Sequence, residues 1–286
     1  MKIGYIILHY NTIEDTQNCV ESIIKNSCKS NYRIIIVDNA SKNDSGKKLK
    51  EIYCDNKNII VILNKKNLGF ANGNNVGFNY AKYKLNCDFI ILLNNDTLLL
   101  QNNLEEIIQK EYSENNFAVM GPKIKLKNNK IQPVESKLFS KKEMKNFLIK
   151  NRIILYLNYI GIYNILKKIF TKKRKKIESK LDNDVDKKYF NVILHGCFLI
   201  FSPIYINKFD GLDHRTFLYC EEHLLYLRLM KEKMISEYNP EIEIFHMEDS
   251  ATDSIVKSSR SKNIFVCKNR IKSGKILYNE IKKIEK

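Results

Sequence analysis

Phe89-Ile90-Ile91-Leu92-Leu93-Asn94-Asn95-Asp96 runs from five apolar residues straight into two amides and a carboxylate. An apolar run of this length reads as a strand buried on both faces, the kind found in parallel sheets covered by helices. Its polar tail then lies where the strand leaves the sheet. Three earlier runs repeat the pattern: residues 3–8 lead into His9-Tyr10-Asn11, residues 34–37 into Asp38-Asn39-Ala40-Ser41, and residues 59–63 into Asn64 and, a few residues on, Asn67. The segments 14–25, 71–83 and 104–112 between and after these runs have helical spacing. This order predicts an α/β chain with a Rossmann-like, mostly parallel central sheet and helices on both faces. In such sheets ligands bind beyond the carboxyl ends of the strands, so four strands deliver polar groups to one edge.

The 286 residues are 44% hydrophobic, enough for one substantial core and too apolar for a disordered chain. The seven cysteines are odd in number, scattered, and never spaced CxxC, which signals neither a disulfide framework nor a zinc site and fits a reducing, cytoplasmic setting. The first apolar stretch meets His9 and Asn11 too early for the core of a signal peptide. A formal net charge of +17 attracts anions, whether phosphorylated substrates, anionic lipid or nucleic acid. Abundant Lys, Asn and Ile with no Trp matches the codon bias of an AT-rich genome, and no RNA-recognition signature accompanies the charge, so nucleic acid is not an expected partner.

The texture changes over 136–190. Lysine-rich flanks enclose the apolar segment 153–166, and Lys172-Lys173-Arg174-Lys175-Lys176 follows. The stretch reads as a helical, lysine-rich insertion that divides the chain into 1–135, 136–190 and 191–286. Its apolar segment falls short of the about 20 residues that span a bilayer. If it is helical, Asn151 and Asn158 share a face and leave a broad apolar surface, either packed internally or lying in a lipid interface. With Lys167, Lys168 and the basic run beside it, the expectation is a peripheral contact with the anionic inner face of the cell membrane. The alternative is a packed helical subdomain with a solvated charge run. From Asn191 the globular pattern resumes with His195-Gly196-Cys197-Phe198-Leu199-Ile200-Phe201, a helix opened by Glu221-Glu222, a strand over 242–245 ending at His246, and a basic C-terminal helix.

Several residue types carry chemistry as well as structure. Asp96 at a strand end offers the hard oxygen that a divalent cation bridging two phosphates needs, although Asn and Asp also build ordinary turns. Asp38 and Asn39 suit hydrogen bonds to a base or ribose, or equally the cap of a helix leading to Ser45. Gly73 and Gly77 are spaced for close helix-to-sheet packing, and Asn67-Leu68-Gly69-Phe70 before them is a loop at a strand end. Phe217-Leu218-Tyr219-Cys220-Glu221-Glu222 sets two acids behind an aromatic run. There they either stabilise a helix N-terminus or supply a general base whose proton affinity is raised by an apolar wall. His246 is a half-buried structural histidine or a neutral imidazole ligand to the same metal.

In order, His9-Tyr10-Asn11, Val37-Asp38-Asn39-Ala40-Ser41, Asn67 to Asn74, Leu93-Asn94-Asn95-Asp96, Gly196-Cys197-Phe198-Leu199, Phe217 to Glu222 and Phe245-His246 resemble the inverting glycosyltransferases of family two. Within that family the pattern is similar to the rhamnosyltransferase-like enzymes of bacterial surface polysaccharides. The resemblance implies a GT-A fold in which 1–135 is the nucleotide-sugar-binding half and 191–286 the acceptor and catalytic half. It implies that His9, Tyr10, Asn11, Asp38, Asn39, Asn67, Gly69, Asn74, Asn94 and Asn95 surround a UDP- or dTDP-linked sugar, with Asp96 and His246 on Mn2+ or Mg2+. It makes Glu222 the catalytic base, with Glu221 the other candidate, for transfer with inversion to a hydroxyl of a lipid-linked glycan. Glu222 stands where the family commonly has aspartate, and Leu224 where a second aspartate is frequent. These departures leave the choice between Glu221 and Glu222 open, and they keep a catalytically inactive assembly subunit as an alternative beside a nucleic-acid-binding protein.

Overall fold

The computed structural model describes residues 1–27, 31–127, 129–163, 184–247 and 259–284. Lys167, Lys168, the basic run 172–176 and the end of the apolar segment 153–166 lie outside the described residues. The first half alternates as the apolar runs predict: β1 (Lys2–His9), α1 (Ile13–Asn26), β2 (Asn31–Asp38), α2 (Ser45–Ile52), β3 (Ile59–Leu63), α3 (Gly69–Tyr83), β4 (Phe89–Asn94), β5 (Thr97–Leu99), α4 (Leu104–Asn115) and β6 (Val119–Leu126). Then come α5 (Lys141–Tyr159), β7 (Tyr189–Phe190), β8 (Phe198–Phe201), α6 (Pro203–Lys208), α7 (Glu221–Lys231), β9 (Ser236–His246) and α8 (Ser259–Ile284).

Among the described residues, all nine strands join one sheet in the order β3-β2-β1-β4-β8-β6-β9-β5, with β7 added beside β9. The pairs β3–β2, β2–β1 and β1–β4 are parallel, as is β6–β9, whereas β8 runs antiparallel to both β4 and β6. Alternation along the strands splits the core between the two faces. Ile3, Tyr5, Ile7, Ile34, Ile36 and Ile91 meet α1, α2 and α4 on one side. Ile6, Ile35, Val37, Ile90 and Leu92 meet α3, α6 and α7 on the other. Helix α3 lies close against the sheet because a Cβ on Gly77 would stand 2.3 Å from Ile6 Cγ2.

Five elements, α2, β5, β6, β7 and α6, were not apparent from the runs, and β9 was expected only over 242–245. Helix α2 is short and polar, and β6 is interrupted by Gly121, Pro122 and two lysines that hide its alternation. Strand β9 begins at Ser236, well before its apolar part, because a register shift between Pro122 and Lys123 lets β6 keep pairing along it. The stretch 136–190 is helical over α5, which opens with a capping box between Ser140 and Glu143. The helix ends at Tyr159, short of residue 166, with Gly161 following in a left-handed conformation at φ +84. Asn151 and Asn158 share a face as expected, but that face is the buried one: each amide donates to the carbonyl four residues earlier, Phe147 O at 2.8 Å and Ile154 O at 2.7 Å. Among the described residues, no helix is long and apolar enough to cross a membrane.

Candidate active site

The carboxyl ends of β1, β2 and β4 meet at one rim, above a cleft of about 380 Å³. Tyr10, Asn39, Asn67, Gly69, Asn94, Asn95 and Asp96 line it, together with His195, Gly196, the segment Phe217 to Glu222, and His246. His9, Asn11, Asp38 and Asn74 do not. Each of these four is engaged elsewhere. The His9 ring is fully enclosed, with Nδ1 2.7 Å from Thr16 Oγ1 and Nε2 2.7 Å from Ser45 Oγ. Thr16 donates its own proton to Thr12 O, so it accepts from His9 Nδ1, and Ser45 then donates to Nε2 of a neutral imidazole. Desolvation pulls the His9 pKa down to about 4 against the opposing charge of Asp38, 3.9 Å away.

Asp38 is likewise engaged, accepting from the Ser41 hydroxyl at 2.5 Å and the Ser41 amide at 3.2 Å, which fixes the turn after β2. Asn11 braces the same turn, its side-chain oxygen accepting from Lys42 N at 3.0 Å and its carbonyl from Asn43 Nδ2 at 2.7 Å. Asn39 clamps the loop after β3: its amide donates to Asn67 Oδ1 and Gly69 O, and its oxygen accepts from Leu68 N. Asn74 turns back on its own helix, donating to Phe70 O at 3.0 Å.

The Asn94-Asn95-Asp96 triplet divides its labour. Asn95 is buried and donates to Thr12 Oγ1 at 2.7 Å and Thr16 Oγ1 at 3.0 Å, tying the end of β4 to the start of α1. Asp96 turns toward the cleft. Antiparallel pairing of β5 with β9 sets Thr97 opposite His246, and Met247 N donates to Asp96 O at 3.0 Å. The pairing brings Asp96 Oδ1 within 3.2 Å of His246 Nε2. Asn94 Nδ2 is 3.4 Å from the same ring nitrogen. One carboxylate and one imidazole therefore converge across 150 residues of sequence. Among the described residues no third His, Cys, Asp or Glu completes a protein-only metal cluster.

On the opposite wall, Tyr219 and Cys220 both adopt left-handed backbone conformations, φ +76 and +69, immediately before α7. Two adjacent non-glycine residues there cost ~1–3 kcal/mol each and persist only where the surroundings impose them. Helix α8 supplies part of that restraint: Ser273 Oγ donates to Leu218 O at 2.8 Å, and Arg270 lies 5.1 Å over the Tyr219 ring. The first turn of α3, where the loop after β3 ends, adds to it, since Phe70 N donates to Phe217 O at 2.7 Å. Gly69 is required at that contact: its φ is +80, and a Cβ would stand 2.2 Å from Phe217 O.

The strained turn sends the two acids in different directions. Glu221 is 5% exposed and is held by the Thr216 hydroxyl and the Tyr219 amide, while its Oε1 has no hydrogen-bond partner. Burial first, then the charge of Glu222, pushes its pKa up to about 8. Glu222 lies against Gly196, where a Cβ would come within 2.9 Å of its Oε1. On the far side of Glu222 is a second cavity of about 200 Å³, lined by Gln132, Glu135, Ile193, Leu194, His223 and Tyr238. Glu222 and His195 line both cavities.

His195 has no assigned role in the sequence reading. It accepts from Cys197 N at 3.2 Å, and its ring centroid is 5.8 Å from that of His246. The signal was present but masked by direction: β8 is antiparallel to β4, so the residues that precede it, not those that follow it, reach the rim. Thr16 and Ser45, which bond the His9 ring from the first turns of α1 and α2, were not legible as its partners because hydroxyl residues are common near helix starts.

A profile of Glycosyl transferase family 2 matches residues 5–170. The uncharacterized glycosyltransferase MJ1057 of Methanocaldococcus jannaschii is 27% identical over 173 residues, 58% of this chain and 58% of that protein. The low-salt glycan biosynthesis hexosyltransferase Agl10 of Haloferax volcanii is 26% identical over 122 residues, 43% of this chain and 36% of that protein. The chain therefore spans less than two thirds of the length of either relative. In fold it is similar to GalNAc-T7, solved with UDP, GalNAc and Mn2+, at a TM-score of 0.60 and 13% identity, over 93% of this chain and 47% of that one. The fold is of the GT-A type, and with the profile covering more than half of its residues, the chain belongs to glycosyl transferase family 2.

Proposed function

We propose that this chain transfers a sugar, with inversion, from a UDP- or dTDP-linked donor to a hydroxyl of a glycan acceptor, as a rhamnosyl- or hexosyltransferase of bacterial surface polysaccharide synthesis. The observation that carries the reading is the position of Glu222 between two cavities, one holding Asp96 and His246 and the other lined by apolar and hydrogen-bonding groups. A general base for a displacement must reach the acceptor hydroxyl while the donor lies on its other side. Glu222 is assigned that role. Buried Glu221, held near neutral pH as an acid by its surroundings, is assigned to positioning the turn. His195 closes the wall between the cavities.

Tyr10, Asn39, Asn67 and Gly69 are assigned to the nucleotide end of the donor. His9, Asn11, Asp38 and Asn74 support that end from behind, holding the turns that present it. Asp96 and His246 fit a hard divalent cation and would hold it as a two-residue site. Bound there, Mn2+ or Mg2+ supplies neutralisation of the leaving diphosphate. The Mn2+ and UDP of the GalNAc-T7 structure, and the hexosyltransferase role of Agl10, are in keeping with this assignment.

The test is a thermal-shift panel of nucleotide sugars with and without Mn2+ or Mg2+, followed by detection of nucleoside diphosphate release. Metal-dependent stabilisation by one donor class, with release on adding acceptor, supports the reading. Stabilisation by no nucleotide under any metal condition removes it.

A further inference from the structure

Helix α5 carries a second apolar stripe that no other part of the described residues covers. Its inner face is accounted for: Met144 and Leu148 pack with Leu224 and Leu227 of α7 and with Leu277 and Ile281 of α8. On the outer face Ile149 is 42% exposed, Ile153 53%, Tyr156 64% and Ile160, at the helix cap, 49%. Their spacing of four, three and four residues places them within about 60° of one another on the helix, opposite the buried face. Single exposed apolar residues are ordinary, but four in line on one face mark a contact surface.

The charges around the stripe say what covers it. Lys142, Lys145, Lys150 and Arg152 are all exposed and flank it on both sides. The one acid of α5, Glu143, is engaged in the capping box with Ser140. Long basic side chains can lay their stems along apolar neighbours while their heads reach an anionic surface. A second copy of this chain is disfavoured as occupant, because it would bring two cationic faces together.

We propose that the outer face of α5 docks the protein on an anionic membrane surface, with Ile149, Ile153, Tyr156 and Ile160 entering the interface and the flanking cations meeting lipid phosphates. The docking does not depend on the transferase reading. It does give that reading a geometry: the inner face of α5 packs on α7, the helix whose first turn holds Glu221 and Glu222, so a docked α5 holds the cleft wall one helix away from the lipid.

The experiment is flotation of the full chain with vesicles of phosphatidylglycerol and phosphatidylcholine in equal parts, and with phosphatidylcholine alone. Wild type is expected to float with the anionic vesicles. A variant combining Ile149→Ser, Ile153→Ser, Tyr156→Ser and Ile160→Ser should bind them at least about tenfold more weakly. It should melt like wild type, since all four side chains are exposed. A variant carrying Lys142→Gln, Lys145→Gln, Lys150→Gln and Arg152→Gln should lose its preference for anionic over neutral vesicles. Because the chain has no Trp, Tyr156→Trp provides a single reporter in the folded protein, whose emission should move to shorter wavelength on the anionic vesicles. The proposal is overturned if the serine variant floats as well as wild type, if the tryptophan emission does not move, or if wild type stays unbound. It is also overturned if the stripe supports a concentration-dependent dimer that the serine variant loses.

Discussion

At the ends of β1 and β2 the polar side chains are consumed by one another: His9, Thr16, Ser45, Asp38 and Ser41 close a network in which each listens mainly to its neighbours. At the turn before α7 the reverse holds. There the backbone is held in two left-handed residues, one carboxylate is buried, and the next faces two cavities. Polar residues at a sheet edge thus divide into those that build the platform and those the platform presents. What each side chain is bonded to, not its residue type, separates the two groups.

The sharpest way to break this comparison is at the presented groups. Asp96→Ala should lower transfer by ~10³-fold or more, the scale of losing a preorganised electrostatic group, and Asp96→Asn nearly as much, because an amide lacks the charge that holds a hard cation. Melting temperature should change little, since the Asp96 carboxylate lies on the cleft. Undiminished metal-dependent transfer in purified Asp96→Ala would remove Asp96 from the metal site. Next in size, Glu222→Gln should cut turnover by ~10²–10⁴-fold with donor KM kept. Glu221→Gln should cost less activity. If steady-state kinetics give the opposite order, the base moves back by one residue.

A stability measurement tests how the presenting turn is held. Gly69→Ala places a Cβ 2.2 Å from Phe217 O at a φ of +80, so urea denaturation should show a loss of about 1–3 kcal/mol. An unchanged midpoint would mean that the loop after β3 does not restrain the turn before α7.

The smallest effects are in pH, and the two regions should respond with opposite sign. The His9 pKa is lowered from 6.5 to about 4, so the folded state binds fewer protons than the unfolded chain in that window. Its contribution is present above pH 6.5 and lost as pH falls toward 4. The Glu221 pKa is raised from 4.5 to about 8, so the folded state binds more protons there. Its contribution is present below pH 4.5 and lost as pH rises through 8. Melting curves of His9→Gln should lose the acid dependence, and those of Glu221→Gln the dependence up to pH 8. Identical pH profiles for wild type and both variants would show that neither group is buried as the structure has it.

The sequence by itself determined the parallel half of the sheet and its functional edge. Apolar runs such as 34–37 and 89–93 are too short for anything but buried strands, and the polar residues that end them can only lie on one rim. The ordered motifs from His9 to His246 were legible for the same reason, since each sits at the end of an element whose position is fixed by burial. Tertiary structure decided the rest. Only the antiparallel run of β8 brings His195 to the cleft, and only the β5–β9 pairing sets His246 beside Asp96. Asn151 and Asn158 could be paired on one face of α5 from spacing alone, yet whether that face looked inward depended on α7 and α8, which supply the apolar partners for Met144 and Leu148. Glu221 and Glu222 are one residue apart and chemically identical. Which is buried and which faces the cavities follows from the two left-handed residues before them, a conformation imposed by contacts from α8 and the loop after β3 that no local pattern encodes.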